Sequence, residues 1–278
     1  MTRHEEIQIM NRWMNKLADH FKSMRLDYPT DRLMVVFDID GTILDMRHMI
    51  LYVLKGFDEQ LGTQYFQGLN FKDIDFHEAH VSGLLDRLSI PSSHRKTILV
   101  LFEERLISAT ALPELQRPFH GVLDVVRWFQ RQQNTFVGLN TGRPESLRSN
   151  TLKTLNTWGR WHQVVFRDEL LFMRGSNEIE SIPETKVAGI DYFKQCEYRT
   201  FAFVDNEPEN LKAVGDADPE GEILLLHADT IFKSNLTIVP KRAVKGRIYD
   251  FRALVSDRHR LKPWIDPDDY DTDFRRIA

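Results

Sequence analysis

Two acidic residues, separated by one position, follow a short apolar run. Residues 33–37 (Leu-Met-Val-Val-Phe) predict a buried strand, because the run is too short for a helix. Asp38 comes directly after it, Asp40 lies two positions further on, and Gly41 then allows a tight turn with its N–H available to a bound anion. Two carboxylates this close repel each other unless a proton or a cation holds them. Magnesium is the usual cation where another ligand is a phosphate. The pattern therefore indicates chemistry at the end of this strand, with a divalent cation beside the two carboxylates.

Three more polar residues lie at or beside predicted strand or helix ends. Thr141 follows a predicted strand at 135–139, and its hydroxyl could donate to a phosphoryl oxygen. Lys186 is expected to open a helix, where an ammonium group and unpaired N–H groups both favour an anion. Asp205 ends a predicted strand at 200–204 and could give a metal another oxygen ligand. Ligands of open α/β sheets bind at the carboxyl ends of the strands, so these residues are expected to converge.

Predicted strands and helices alternate along most of the chain, which favours a doubly wound, mostly parallel α/β sheet. Two further strands are predicted at 164–166 and 222–226, and the stretch 167–183 is predicted to be a loop or small hairpin. Helices are predicted at 5–26, 121–133, 146–155 and from Lys186 towards Phe193.

The stretch 46–115 interrupts this alternation. Its apolar residues recur at helical spacing in 48–61, 81–88 and 97–106, and it contains no strong strand signal. Seventy residues are too many for a simple crossover, so the stretch is predicted to be an inserted helical cap. The resulting organisation is an N-terminal helix in 1–30, a core of 31–45 and 116–230, the cap at 46–115, and a C-terminal extension at 231–278.

Composition indicates an ordinary globular protein, with 42% hydrophobic and 28% charged residues. The net charge of −4 does not favour nucleic acid. The single cysteine, Cys196, cannot form an intrachain disulfide, and no secretory signal or membrane-length apolar run is evident, so a cytoplasmic location is expected.

The tail is basic over 241–262 and acidic over 266–273. Solvated surface is the simpler interpretation, although the basic part could face an anionic substrate or partner.

The order of these motifs resembles that of the haloacid dehalogenase-like superfamily. Asp-Ile-Asp-Gly-Thr at 38–42 matches the first motif, and Leu-Asn-Thr-Gly-Arg-Pro at 139–144 matches the second. Glu-Thr-Lys-Val at 184–187 matches the third, and Phe-Val-Asp-Asn-Glu-Pro-Glu-Asn at 203–210 matches the fourth. The resemblance covers roughly 33–45 and 116–227. It implies a helical cap between the first two motifs that shapes the substrate pocket.

The resemblance implies a phosphatase that works through an aspartyl-phosphate intermediate. Asp38 would be the nucleophile and Asp40 the general acid and base. Magnesium would be held by Asp38, the carbonyl of Asp40, and Asp205. An acid at position 40 suits a phosphatase or phosphomutase, whereas dehalogenase members lack it and ATPase members carry Thr there. The residues expected to hold the phosphate are Gly41, Thr42, Thr141, Gly142 and Lys186.

The fourth motif departs from the family pattern. Asn206 follows Asp205, and position 209 is Glu, so Asn206 and Glu209 are only candidate metal-site residues. Lys186 is not followed by the common Pro, which leaves Lys194 as an alternative.

Other side chains near the motifs have two interpretations. Arg47 and His48 are candidates to contact the leaving group, and Arg143 could contact substrate or be a turn arginine that makes a salt bridge. A polar cluster in the cap could hold a second metal but is expected to be a solvent-facing loop and helix start; its members are Asp73, Asp75, His77, Glu78 and His80.

Three functions remain open besides a phosphatase acting on a small phosphorylated molecule. One is a phosphomutase of the same fold, one a non-catalytic phosphate-binding scaffold, and one a nucleic-acid end-processing phosphatase that uses the basic tail. The substrate and the oligomeric state are not determined by the sequence.

Overall fold

The computed structural model of the protein describes residues 12–175 and 181–255. Its main sheet has six parallel strands in the order β5-β4-β1-β6-β7-β8. These strands are β1 (Arg32–Phe37), β4 (Thr135–Pro144), β5 (Leu171–Arg174), β6 (Tyr198–Asp205), β7 (Leu224–Ala228) and β8 (Val244–Gly246). A separate two-stranded ribbon pairs β2 (Leu44–Asp45) with β3 (Arg117–Pro118). The predicted α/β fold class, a parallel sheet with helices, is confirmed.

Helices cover the sheet and form the inserted segment. They are α1 (Arg12–Asp27), α2 (Arg47–Leu61), α3 (Val81–Arg87), α4 (Ser92–Ala109), α5 (Val122–Gln130), α6 (Arg148–His162), α7 (Ile182–Gln195), α8 (Pro208–Asp216) and α9 (Arg252–Val255). The part of the predicted N-terminal helix before Arg12 lies outside the described residues. Among the described helices, none is long and apolar enough to cross a membrane.

Strand β1 lies at the middle of the sheet because both of its faces are apolar. Residues 33–37 are completely buried, as expected for a parallel strand covered by helices on both sides. Its last residue, Phe37, aligns with Leu139 of β4 and Val204 of β6. The residues that follow these three aligned positions are therefore adjacent near the carboxyl edge of the sheet.

The helices of the segment 46–115 have a hydrophobic cluster of their own. It is separate from the two clusters that pack on the faces of the main sheet, and it includes Phe57, Leu85 and Phe102. Both chain connections to the main sheet pass through the short β2–β3 ribbon, in which Leu44 is opposite Pro118. The segment thus has its own core and is joined to the rest at one narrow place.

The third sheet strand was predicted in the wrong place. Residues 164–166 are not a strand, and Leu171–Arg174, predicted to be loop or hairpin, forms β5. Val164 and Phe166 are buried, but their N–H groups donate to the carbonyl of Gly159 and to the side chain of Asn156. These backbone groups are used by the end of helix α6 and are not available to a strand ladder.

The C-terminal extension contributes to the core more than its composition suggests. Strand β8 pairs with β7, and the ring of Trp13 in α1 packs over Gly246, where an added Cβ would lie 2.1 Å from the indole Cγ. The indole N–H donates to the carbonyl of Ile248 over 2.8 Å. Residues 256–278, with the acidic stretch 266–273, lie outside the described residues.

Candidate active site

Asp38 is held at the carboxyl end of β1 by the neighbouring strand. Its N–H donates to the carbonyl of Val204 over 2.8 Å, and the residue is only 5% exposed.

The residues after Asp38 form a tight turn in which Gly41 adopts a φ of +78°. The N–H of Gly41 donates to the carbonyl of Leu44 over 2.9 Å. The expectation that this N–H is available to an anion is therefore wrong for this conformation, because it closes the turn instead.

Thr42 and Asn206 tie this turn to the loop after β6. The N–H of Asn206 donates to Thr42 Oγ1 over 3.1 Å, and that hydroxyl donates to Asn206 Oδ1 over 3.3 Å. The Asn206 amide also donates to the carbonyl of Ile231 over 2.6 Å. A Cβ on Gly41 would lie 2.2 Å from this amide nitrogen, so only glycine fits there. Thr42 and Asn206 thus brace the loops, and their side chains are engaged with each other.

Lys186 joins the two buried carboxylates of the first and fourth motifs. Its Nζ contacts a carboxylate oxygen of Asp38, lies 3.3 Å from Asp205 Oδ2, and lies 2.5 Å from the carbonyl oxygen of Asn140. Its side chain is 1% exposed and that of Asp205 is fully buried. A buried ammonium needs such partners because its desolvation is costly. The three motifs therefore converge on one ionic cluster.

Lys186 lies inside helix α7 and not at its start, which corrects the sequence prediction. The helix begins at Ile182, and Ser181 is its N-cap. Ser181 and Glu184 form a capping box, and Pro183 occupies the first turn, where its missing N–H costs nothing. Pro183 is therefore part of a helix start and not of a loop. Lys194, the alternative to Lys186, is exposed.

Asn210, which the sequence prediction did not include, is the second side chain of the fourth motif at the site. Its amide donates to both carboxylate oxygens of Asp205, over 3.2 and 3.1 Å, and the N–H of Glu207 donates to the same carboxylate over 2.7 Å. Among the described residues, the Oδ1 of Asn210 is one of the buried polar atoms without a partner. Glu209 is exposed, so its candidacy as a metal-site residue is not supported. The signal that could have identified Asn210 is its place in the first turn of the helix after Asp205.

Asp40 is paired with Arg143, which belongs to the second motif and lies near the end of β4. Nε of Arg143 donates to Asp40 Oδ2 over 2.7 Å, and a terminal nitrogen donates to Oδ1 over 2.5 Å. The Arg143 side chain is 5% exposed, whereas that of Asp40 is 30% exposed. Burial lowers the pKa of Arg143, but Asp40 outweighs it, and the net shift is upward. Of the two interpretations of Arg143, the structure places it in a salt bridge.

Thr141 and Gly142 lie at the end of β4 beside this pair. Thr141 is 1% exposed, and its Oγ1 accepts a hydrogen bond from the N–H of Arg143 over 3.2 Å. A Cβ on Gly142 would lie 3.0 Å from the side chain of Ile182, so the turn packs closely against the start of α7. The second motif is thus brought next to the first and third.

Arg47 and His48 are engaged within the cap and its junction. Arg47 forms a two-pronged ion pair with Asp45, and its guanidinium carbon lies 3.8 Å from the centroid of the Phe71 ring. His48 stacks on the same ring at 4.4 Å between centroids. Their role as leaving-group contacts therefore remains a prediction from sequence, because these contacts direct both side chains towards Phe71.

Two carboxylates of the site are buried deeply enough to shift their pKa values. Burial raises the pKa of Asp38 to about 7; Lys186 opposes this rise, while Asp205 and Asp40 add to it. Burial likewise raises the pKa of Asp205. Three carboxylates face two cations, Lys186 and Arg143, and this donor set fits a divalent cation with oxygen ligands. Among the described residues, no group of three or more His, Cys, Asp or Glu side chains forms a metal cluster, so such a site would need backbone oxygens or water as well.

Part of the polar cap cluster is influenced by the carboxylates of the core, although the Glu78 side chain is 37% exposed. Burial raises the pKa of Glu78 to about 7, and the carboxylates of Asp40, Glu207 and Asp38 add to this rise. Nε2 of His77 lies 3.4 Å from Oε1 of Glu78, and the pKa of His77 is lowered to about 4, mainly by burial and further by His80 and Lys233. The remaining members, Asp73, Asp75 and His80, are exposed as predicted.

Comparison with known proteins identifies the fold but not the reaction. No family model matches the chain, and no curated protein matches its sequence. Among solved structures, a provisionally assigned phosphatase from Clostridium difficile aligns with a TM-score of 0.53 and 11% identity, over 82% of this chain and 100% of its own. A predicted phosphoglycolate phosphatase from Haemophilus somnus aligns with a TM-score of 0.51 and 11% identity, over 81% and 98%. The chain therefore shares the fold of these two structures. That fold agrees with the resemblance of the four motifs to the haloacid dehalogenase-like superfamily, since the motifs lie where strands β1, β4 and β6 end and within helix α7.

Proposed function

We propose that the protein is a magnesium-dependent phosphatase that hydrolyses a small phosphomonoester through an aspartyl-phosphate. The observation that carries this proposal is the cluster of Asp38, Lys186 and Asp205, in which one ammonium group contacts both carboxylates at the carboxyl edge of the sheet. Burying three charged groups is costly, and an ion pair at the protein surface would avoid that cost. A site that binds a dianionic phosphate beside a cation, in contrast, needs charged groups at this position.

The proposed first step is attack on phosphorus by a carboxylate oxygen of Asp38. As the new oxygen–phosphorus bond forms, the bond to the leaving oxygen breaks, and Asp40 supplies the proton that this oxygen takes up. In the second step Asp40 takes a proton from water, the water oxygen attacks the phosphorus, and the bond to Asp38 breaks to release inorganic phosphate. Both carboxyl groups then return to their initial states.

Magnesium would be held by Asp38, the carbonyl of Asp40, and Asp205. When bound, it would neutralise phosphate charge and so permit an anionic nucleophile to approach. Lys186 would hold a phosphate oxygen as it now holds Asp38, and the hydroxyl of Thr141 would donate to another. Asn210 orients Asp205 through both carboxylate oxygens.

The test is a screen of phosphorylated sugars, nucleotides, amino acids and cofactors with magnesium, scored by phosphate release. Asp38→Asn should abolish release, and Asp216→Asn, on the surface beside Lys212, is the matched control. Chelation by EDTA should stop the wild-type reaction and added magnesium should restore it. Transfer of phosphate to a second position of the substrate without release would favour a phosphomutase. Absence of turnover on every class would favour a non-catalytic scaffold.

A further inference from the structure

The Arg143 guanidinium is held by two further side chains as well as by Asp40. Its terminal nitrogens also donate to Oε1 of Gln116, over 2.6 Å, and to Oγ1 of Thr151, over 3.1 Å. Gln116 and Thr151 are completely buried. A guanidinium has a planar, rigid arrangement of donors, so these partners determine where its remaining edge points. That edge carries the two hydrogen bonds to Asp40, which fix the orientation of the carboxylate.

Gln116 connects this arrangement to the cap. Its amide nitrogen donates to the carbonyl of Thr110 over 2.9 Å and to Thr154 Oγ1 over 3.3 Å. Thr110 is the C-cap of helix α4, the last cap helix, and Gln116 immediately precedes strand β3 of the ribbon that joins cap and core. A continuous chain of hydrogen bonds therefore runs from Asp40 through Arg143 and Gln116 to the end of the cap.

We infer that Arg143 is a positioning residue for Asp40, and that Gln116 makes this positioning depend on the seating of helix α4. The inference rests on the proposed phosphatase reaction and deepens it. In this role Arg143 acts through the carboxylate of Asp40 and contacts neither the phosphoryl group nor the leaving oxygen. It sets the direction from which Asp40 meets the leaving oxygen, and the cap influences that direction through a buried amide.

A leaving-group comparison distinguishes positioning from a merely structural role. A phenolate such as p-nitrophenolate departs readily without a proton, whereas an alkoxide does not, so misplacement of the acid should slow alkyl phosphates selectively. Arg143→Lys keeps the charge but loses the two-pronged geometry. It should lower kcat for an alkyl phosphate about 10²-fold, with less effect on p-nitrophenyl phosphate and little change in KM.

Gln116→Met provides a second variant, which keeps the Arg143 and Asp40 side chains while removing both the hydrogen bond from Arg143 and the link to Thr110. It should show the same selectivity in weaker form. The control is Arg148→Gln, an arginine of the same region whose partners are Glu145 and Asp168 on the surface. Both test variants are first checked for folding by circular dichroism.

The outcomes separate this inference from the proposed function. If wild type releases no phosphate from any ester, the proposed function fails and the inference fails with it. If wild type is active and Asp40→Asn shows the selectivity for alkyl esters, but folded Arg143→Lys slows both substrates equally or neither, the inference alone is overturned. Equal loss with Gln116→Met and Arg148→Gln would overturn the link to the cap.

Discussion

The Nζ atom of Lys186 lies 3.3 Å from Oδ2 of Asp205 while it also contacts Asp38. Two carboxylates from strands β1 and β6 thus share one buried ammonium group. Without it, their mutual repulsion and desolvation would be uncompensated. The lysine of the third motif, on helix α7, is therefore placed between the two carboxylates of the first and fourth motifs.

Replacement of Lys186 by Met should destabilise the fold by about 3–5 kcal/mol, because it removes the cation from two buried carboxylates. Magnesium should raise the melting temperature of this variant more than that of wild type, since the ion can supply the missing positive charge. Thermal denaturation with and without magnesium measures both effects. Lys194→Met, an exposed lysine of the same helix, is the control and should resemble wild type. Loss of activity in Lys194→Met but not in Lys186→Met would contradict the assignment.

Replacement of Gly41 by Ala should destabilise the catalytic turn. The residue has a φ of +78°, and the new Cβ would lie 2.2 Å from the Asn206 amide nitrogen. Strain of this kind costs about 1–3 kcal/mol, and displacement of Asn206 should also lower kcat. Gly83→Ala is the matched control, because Gly83 lies in helix α3 with open space around it. It should stabilise the protein by about 0.5–1 kcal/mol. Chemical denaturation of both variants checks this prediction, and equal effects would refute it.

Tyr249 connects the C-terminal extension to the catalytic turn. It is 3% exposed, and its hydroxyl donates to the carbonyl of Thr42 over 2.9 Å. Tyr249→Phe should lower the free energy of unfolding by about 1–3 kcal/mol, because the carbonyl loses its partner in a buried place. Tyr52→Phe, at an exposed tyrosine of the cap, is the control. If urea denaturation midpoints and kcat of Tyr249→Phe match those of wild type, the extension does not support the turn.

Glu78 should make stability depend on pH. Its folded pKa is raised to about 7 by burial and by the carboxylates of the core, so the folded state retains this proton more strongly than the unfolded chain. Ionised Glu78 is therefore unfavourable in the folded state. The protein loses stability as the pH rises from the ordinary pKa of a glutamate towards 7.

Glu78→Gln should consequently be more stable than wild type at pH 8 and similar to it near pH 4. Melting temperatures across this range measure the difference, with Glu103→Gln, at an exposed position of helix α4, as the control. A pH-independent difference between Glu78→Gln and wild type would contradict the position of Glu78 over the site.

The sequence predicts the centre of this fold better than its edges. Strand β1 is recognisable because all of residues 33–37 are apolar and a carboxylate follows them. Strand β8 is not, because Val244–Gly246 is three residues long with only its last residue buried. Its pairing with β7 depends on backbone hydrogen bonds, which leave no side-chain pattern.

The same distinction holds for the site. The sequence predicted that Asp38, Thr141, Lys186 and Asp205 lie close together, because each is near an end of a predicted strand or helix. The Arg143–Asp40 pair and the contact of Asn210 with Asp205 were not predicted. A turn arginine has many acidic residues within possible reach, and only the packing of Gln116 and Thr151 selects its partner.

The most direct test of the central claim is to trap the phosphoryl group on the protein. The enzyme is mixed with magnesium and a substrate found in the screen, or with acetyl phosphate, quenched in acid and digested, and the peptides are analysed by mass spectrometry. The account predicts one added phosphoryl group on the peptide that contains Asp38, absent from Asp38→Asn and accumulating in Asp40→Asn. Phosphate release by an active wild type with no adduct at Asp38, or with the same adduct in Asp38→Asn, would contradict it.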